Sequence, residues 1–242
     1  KALIAKYLSA YYFKLSVACF LLLGVALFFV SEGAEADWEQ MDDYPSDLKI
    51  NRGASVSYDS ESDRAIFFED SDQNAGDDVF SYDFNEDDWT QMDDYPSGLT
   101  VNHGGFGAYD SESDRIIFFE NKDSSVGNDV FAYDFNNDEW TQMSDYPSGL
   151  TINNGALVIY DSESDRIIFF ESRDSNVGND VYSYDFDTDD WTQMDDYPSN
   201  LKINRGASIS YDSESDIILV FENSDSSAGN DVFAYDFNDD GW

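Results

Sequence analysis

Carboxylates at alternate positions are the pattern from which a turn wraps a hard cation, and this sequence repeats that pattern. Asp185-Phe186-Asp187-Thr188-Asp189-Asp190 is one such run. Asp236-Phe237-Asn238-Asp239-Asp240-Gly241 is another, and it satisfies D-x-N-x-D-G, the opening of a calcium loop. Calcium takes roughly six to eight oxygen ligands, so Asp185, Asp187, Asp189, Asp236, Asn238 and Asp240 are candidate metal ligands. No cofactor is required by anything else in the chain; Ca2+ is the one ion the pattern admits. The matching runs Asp83 to Asp88 and Asp134 to Glu139 lack the glycine. Asn and Asp are also the residues that tight turns favour, so a solvated hairpin accounts for the same pattern.

A second candidate group comes from one place in the sequence where otherwise matching segments differ. Arg52, His103, Asn154 and Arg205 are hydrogen-bonding groups of different kinds at one equivalent position. Variable loop residues on a fixed scaffold are where recognition sits, so these are the candidate ligand-binding residues. No catalytic residue is assigned. The sequence has no Gly-rich phosphate loop, no G-x-S-x-G elbow and no H-E-x-x-H. One histidine, His103, cannot build a His-rich metal centre. Carboxylate pairs for glycoside hydrolysis remain open, but Asp and Glu number 52, so no pair stands out.

The elements that must position these groups repeat. Trp38, Trp89, Trp140, Trp191 and Trp242 are spaced 51 residues apart. A fixed period of that size with short apolar runs marks a repeat architecture. In the second repeat the spacing predicts strands at Phe106–Tyr109, Arg115–Glu120, Asp129–Phe135 and Trp140–Met143. Asp110-Ser111-Glu112-Ser113-Asp114, Asn121–Asn128 and Asn136–Glu139 connect them, and Asp145 to Gly149 crosses to the next repeat. Pro147 belongs in that crossing because proline cannot donate to a ladder. No helical period of any length appears in the repeats.

Four short strands per unit of about 50 residues predict an all-β chain, a β-propeller of four-stranded antiparallel blades. Full repeats begin near Gly53, Gly104, Gly155 and Gly206, and the four visible repeats are expected to form an incomplete ring. Strand residues are apolar on both sides, as in Val130, Phe131, Tyr133 and Phe135, so each blade needs a neighbour. The tryptophan is expected to wedge between blades. The Asp-Ser-Glu-Ser-Asp turns should gather on one face.

The pattern Gly-Ala-x-x-x-Tyr-Asp, Asp-Arg-x-x-x-Phe, Asn-Asp-Val-Phe-x-Tyr-Asp-Phe, then Trp resembles the Kelch repeat over Asp37 to Trp242. Kelch blades usually carry a double glycine after the second strand. Here those positions read Glu69-Asp70, Glu120-Asn121, Glu171-Ser172 and Glu222-Asn223. The resemblance implies a propeller, not one activity. Galactose oxidase shares the Kelch-type propeller, but its copper radical chemistry needs cysteine and several histidines, and the repeats hold no cysteine and one histidine.

Ahead of the repeats, residues 1–36 read as a signal peptide or an uncleaved membrane anchor. Lys1, Lys6 and Lys14 precede the apolar run Leu15 to Val30, expected to form a hydrophobic helix, and Ala34-Glu35-Ala36 follows. The run's 16 residues rise ~24 Å as a helix, short for a ~30 Å hydrocarbon core. Cleavage would leave Asp37 first, and both readings export residues 37–242. Cys19 is the one cysteine and lies in the apolar run, so no disulfide framework is expected. The net charge of −40 disfavours nucleic acid and anionic lipid surfaces.

These features together predict a secreted or cell-surface, non-enzymatic protein-binding or adhesion scaffold with a protein or glycan partner of basic character. Two alternatives are a glycan-binding or glycan-active protein using the channel mouth, and a calcium-stabilised structural surface protein.

Overall fold

A computed structural model describes residues 40–50, 54–69, 76–101, 106–121, 127–153, 155–172, 178–204, 206–223 and 229–242. The expected N-terminal hydrophobic helix, with its signal-or-anchor reading, lies outside the described residues. Among the described residues there is no helix. The chain divides by internal packing into Lys1–Met41 and Asp42–Trp242, and every strand belongs to the second unit.

Among the described residues, short runs of β-branched and aromatic residues give fifteen strands in four sheets. Blade 1 holds β1 (Ser55–Asp59), β2 (Arg64–Phe68), β3 (Val79–Asp83) and β4 (Asp88–Gln91). Blade 2 holds β5 (Phe106–Asp110), β6 (Arg115–Phe119), β7 (Val130–Asp134) and β8 (Glu139–Gln142). Blade 3 holds β9 (Leu157–Asp161), β10 (Arg166–Phe170), β11 (Val181–Asp185) and β12 (Asp190–Gln193). Blade 4 holds β13 (Ser208–Asp212), β14 (Ile217–Phe221) and β15 (Val232–Tyr235), with one bridge from Asp236 to Gly241 beyond it. Each sheet is an antiparallel meander in sequence order, as the repeat pattern predicts.

Strand ends differ from expectation by one residue, for a local reason. Glu120 was expected to end the second strand of blade 2, but β6 stops at Phe119. The Glu120 side chain turns inward instead and accepts the Thr100 amide at 2.6 Å. The third strand is shortened at both ends to Val130–Asp134, because Asp134 closes the turn by accepting the Asn137 amide at 3.1 Å.

The core lies between blades. Ile66, Phe68 and Val79 of blade 1 pack on Ile116, Phe118 and Tyr133 of blade 2. Equivalent clusters join blade 2 to blade 3 and blade 3 to blade 4. A strand between two neighbours is buried on both faces, and every residue of β7 is buried. The tryptophans wedge as expected: Trp140 stacks on its own Tyr133 at 4.7 Å and meets Phe68 of blade 1 at 5.7 Å. Trp191 repeats this with Tyr184 and Phe119, at 4.8 and 5.8 Å. The first strands pack directly on one another, β1 on β5, β5 on β9 and β9 on β13, so blades converge along them. Among the described residues no comparable packing joins β13 to β1, and the four blades form an arc of a propeller ring.

Candidate functional site

In an antiparallel meander the first–second and third–fourth connections fall at the same edge. The acidic turns of all four blades therefore line one face of the arc, and each is shaped by its own carboxylates. Asp59 ends β1 and accepts the amides of Glu61 and Ser62 at 3.0 and 3.1 Å. Asp83 ends β3 and accepts those of Asn85 and Glu86 at 2.8 and 3.2 Å. This is the local aspartate turn that competes with continued ladder pairing. The last residue of each turn has a left-handed backbone: φ is 56° at Asp63 and 51° at Asp87. Aspartate tolerates this conformation better than most side chains.

Those same left-handed aspartates anchor tyrosines five residues earlier. Tyr133 donates to Asp138 at 2.6 Å, Tyr160 to Asp165 at 2.8 Å and Tyr235 to Asp240 at 2.7 Å. Burial, and then the bond to the carboxylate, raises the phenols of Tyr133, Tyr160 and Tyr235; Tyr82 is pushed up to about 12, chiefly by its bond to Asp87. Each aspartate of the second turn also ties in the crossing segment. The Asp93 amide reaches Asp138 at 2.9 Å and the Asp195 amide reaches Asp240 at 2.9 Å.

The six candidate metal ligands sit within this bonding scheme. Asp185 accepts the Thr188 amide at 3.1 Å and pairs with Arg166 at 2.8 Å. Asp189 accepts Tyr184 at 2.8 Å and the Ser144 amide at 3.0 Å. Asp236 accepts the amides of Asn238 and Asp239 at 3.0 and 3.2 Å. Asn238 donates to Asp216 at 2.6 Å, and Asp240 accepts Tyr235 and the Asp195 amide. Asp187 stands where the other blades have asparagine. In blades 1 and 2 that asparagine bridges the two turns, Asn85 to Asp63 at 2.6 Å and Asn136 to Asp114 at 2.5 Å. In blade 3, burial raises Asp165, and the charges of Asp110, Glu112 and Asp187 add to the shift. Among the described residues, no group of three or more His, Cys, Asp or Glu side chains is placed to hold a metal ion.

Arg52, His103, Asn154 and Arg205 lie outside the described residues.

At the edge of the blades opposite the acidic turns lies a feature that the sequence reading does not contain. Glu69, Glu120 and Glu171, at the position of the Kelch double glycine, are almost fully buried. Each reaches back 20 residues to an amide of the crossing segment: Lys49 for Glu69, Thr100 for Glu120 and Thr151 for Glu171. The second carboxylate oxygen faces a glycine seven residues ahead. A Cβ at Gly127 would lie 3.1 Å from Glu120 Oε2, and one at Gly178 would lie 3.2 Å from Glu171 Oε2. Burial raises these carboxyls, Glu171 up to about 7, against the opposing pull of the Thr151 amide. The available signal was recurrence: glutamate closes every Phe-rich second strand, with glycine seven residues on.

No protein-family model matches the chain, and no curated protein matches it. Among solved structures it is similar to TolB from Acinetobacter baumannii, at 12% identity and a TM-score of 0.48. That likeness covers 76% of this chain and 41% of the TolB chain, so this chain spans under half of that protein's length. The blade topology and the packing between blades are what show the fold.

What the turn face offers chemically is acceptors. Its inner carboxylates are engaged by tyrosine, arginine and backbone donors. Its outer ones face solvent, with Glu61, Glu112, Glu163 and Glu214 exposed at the same place in each blade.

Proposed function

We propose that the protein is an exported Kelch-like propeller that binds a basic protein partner at the cell surface or outside the cell. The observation that carries this reading is the acidic turn face. Four equivalent glutamates project from it, while the carboxylates behind them are held by internal donors. A rigid, repeated array of like charge suits recognition of clustered Lys and Arg, and it steers such a partner from a distance. Export is supported by the Lys-rich, apolar, Ala-x-Ala order of residues 1–36.

Two measurements test it. Anisotropy titration with fluorescent oligolysine and oligoglutamate peptides should show binding of the first alone. The triple variant Glu61→Gln, Glu112→Gln, Glu163→Gln should weaken it about tenfold, and equal binding of both peptides would reject the reading. N-terminal sequencing of the expressed protein should find Asp37 first, in the exported fraction.

A further inference from the structure

Blade 3 carries a hydroxyl that its sister blades lack. The second residue of the third strand is Phe80 in blade 1, Phe131 in blade 2 and Phe233 in blade 4, but Tyr182 in blade 3. Tyr182 is only 5% exposed, and its ring packs between blades 2 and 3 with Tyr146, Leu150 and Phe169. Among the described residues its hydroxyl makes no hydrogen bond. Tyr133, Tyr160, Tyr184 and Tyr235, by contrast, each donate to an aspartate. The Tyr182 hydroxyl ends beneath Gly149, an exposed residue of the crossing segment. A Cβ at Gly149 would lie 2.9 Å from that oxygen, whereas one at Gly98 would clear the Phe131 ring at 3.8 Å. Gly149 does not have the positive φ that would demand glycine. Its missing side chain leaves the hydroxyl open to solvent.

Carboxylates surround this hydroxyl. Residues two apart in an extended chain share a face, which puts Asp180 beside Tyr182. Burial raises the phenol, and the charges of Asp180, Glu171 and Asp196 add to the shift. Asp180 and Asp196 are close enough to share a hydrogen bond, and burial together with the Asp196 charge raises Asp180. Glu171 Oε2 and Asp180 Oδ1 both approach Gly178, at 3.2 and 3.5 Å from where a Cβ would sit. In blades 1 and 2 a glutamine serves the aspartate that matches Asp180: Gln91 Nε2 reaches Asp78 at 2.7 Å and Gln142 Nε2 reaches Asp129 at 3.4 Å. Among the described residues Asp180 has no such donor.

We propose that Tyr182, Asp180 and Asp196 form a binding site for a primary ammonium group, entered past Gly149. An ammonium is a compact charge with three donors. Asp180, Asp196 and the phenol oxygen supply three acceptors of matching number, and the phenol's own proton turns to a carboxylate. The ammonium charge replaces both the proton the two aspartates otherwise share and the glutamine donor of the sister blades. A metal ion needs a tighter set of carboxylates, and among the described residues no group of three is so placed. The site lies at the edge opposite Glu61, Glu112 and Glu163, so it is independent of partner binding on the turn face. Lysine side chains and free polyamines both carry the group it takes.

Titration calorimetry of the full chain with Nα-acetyl-lysine methylamide tests this, in about 0.15 M sodium chloride to screen diffuse attraction. Saturable binding is expected, and the Nε-acetylated probe, without the charge, should not bind. Tyr182→Phe installs the residue that the other three blades carry, so the variant should fold with an unchanged circular dichroism spectrum. It should weaken binding by about tenfold or more, because an acceptor to a charged donor is lost. Gly149→Ala should weaken it similarly by covering the hydroxyl. The triple variant Glu61→Gln, Glu112→Gln, Glu163→Gln should bind the probe as the native chain does, which separates this site from the turn face. Spermidine binding about tenfold tighter than the lysine probe would identify a free polyamine as the ligand; equal or weaker binding would identify a lysine side chain. No binding of the lysine probe to the native chain overturns the proposal. So does equal binding of the acetylated probe, or undiminished binding in Tyr182→Phe. Loss of binding in the triple variant overturns it too, since the probe would then sit on the turn face.

Discussion

Asp138 meets three demands with one side chain. It sits at φ 54°, accepts the Tyr133 hydroxyl and accepts the Asp93 amide. Asp138→Ala removes both acceptors and leaves a Cβ residue in the left-handed region. We expect a loss of about 3 kcal/mol, or roughly 6–12 °C in Tm. Asp138→Asn keeps an acceptor and a tolerant backbone, and should cost less than half as much. Equal losses in chemical denaturation would show that the backbone and the acceptor do not matter separately. Glu171 is a second test at one site. Its folded pKa, about 7, lies above the ordinary 4.5, so the folded state holds its proton longer than the unfolded state. Its stability is therefore full below about 4.5 and is lost as pH rises from there to about 7. Glu69 and Glu120 shift the same way. Urea midpoints should fall between pH 5 and pH 7.5. Glu171→Gln should flatten part of that fall, and an unchanged slope would show that this carboxyl does not titrate there.

The blades share one device between their second and third strands, with one omission. Arg64, Arg115 and Arg166 pair with Asp83, Asp134 and Asp185 at 2.7 to 2.8 Å. Blade 4 has Ile217 at that position, opposite Asp236. Ile217→Arg should supply the missing pair and stabilise by about 0.5 kcal/mol, since a partly exposed ion pair contributes little. A Tm rise of one or two degrees would agree, and a fall would show that the Ile217 side chain packs more usefully than it pairs. The wedge matters far more. Trp140→Ala opens a cavity between Phe68 and Tyr133 and should cost about 3–5 kcal/mol. Trp140→Phe, which keeps part of the ring contact, should cost visibly less in the same denaturation series.

A molecule with net charge −40 repels itself, and its stability should respond to salt throughout. Raising sodium chloride from about 0.05 to 0.5 M screens that repulsion and should raise Tm by several degrees. The same change should weaken oligolysine binding, because attraction is screened along with repulsion. Two effects of opposite sign from one variable separate partner recognition from general stabilisation. If binding strengthened with salt, the contact would be apolar, and the acidic face would not be its site.

Much of this architecture was legible before any coordinates. Recurrence of Trp every 51 residues, short β-branched and aromatic runs, and apolar residues on both strand faces sufficed for blades, their strand order and the wedge. These are local patterns or simple repetition, and period and hydrophobicity follow from the residues themselves. The Tyr–Asp anchors at five-residue spacing were equally near in sequence but indistinguishable from ordinary turn aspartates. Other features needed three dimensions. The reach of Glu120 to Thr100, the tie from Asp93 to Asp138 and the bareness of Tyr58 and Val232 join or separate groups far apart in the chain. Val232 and Val130 occupy the same place in the repeat and have the same neighbours in sequence. One is buried and one exposed because burial belongs to the adjoining blade, not to the residue.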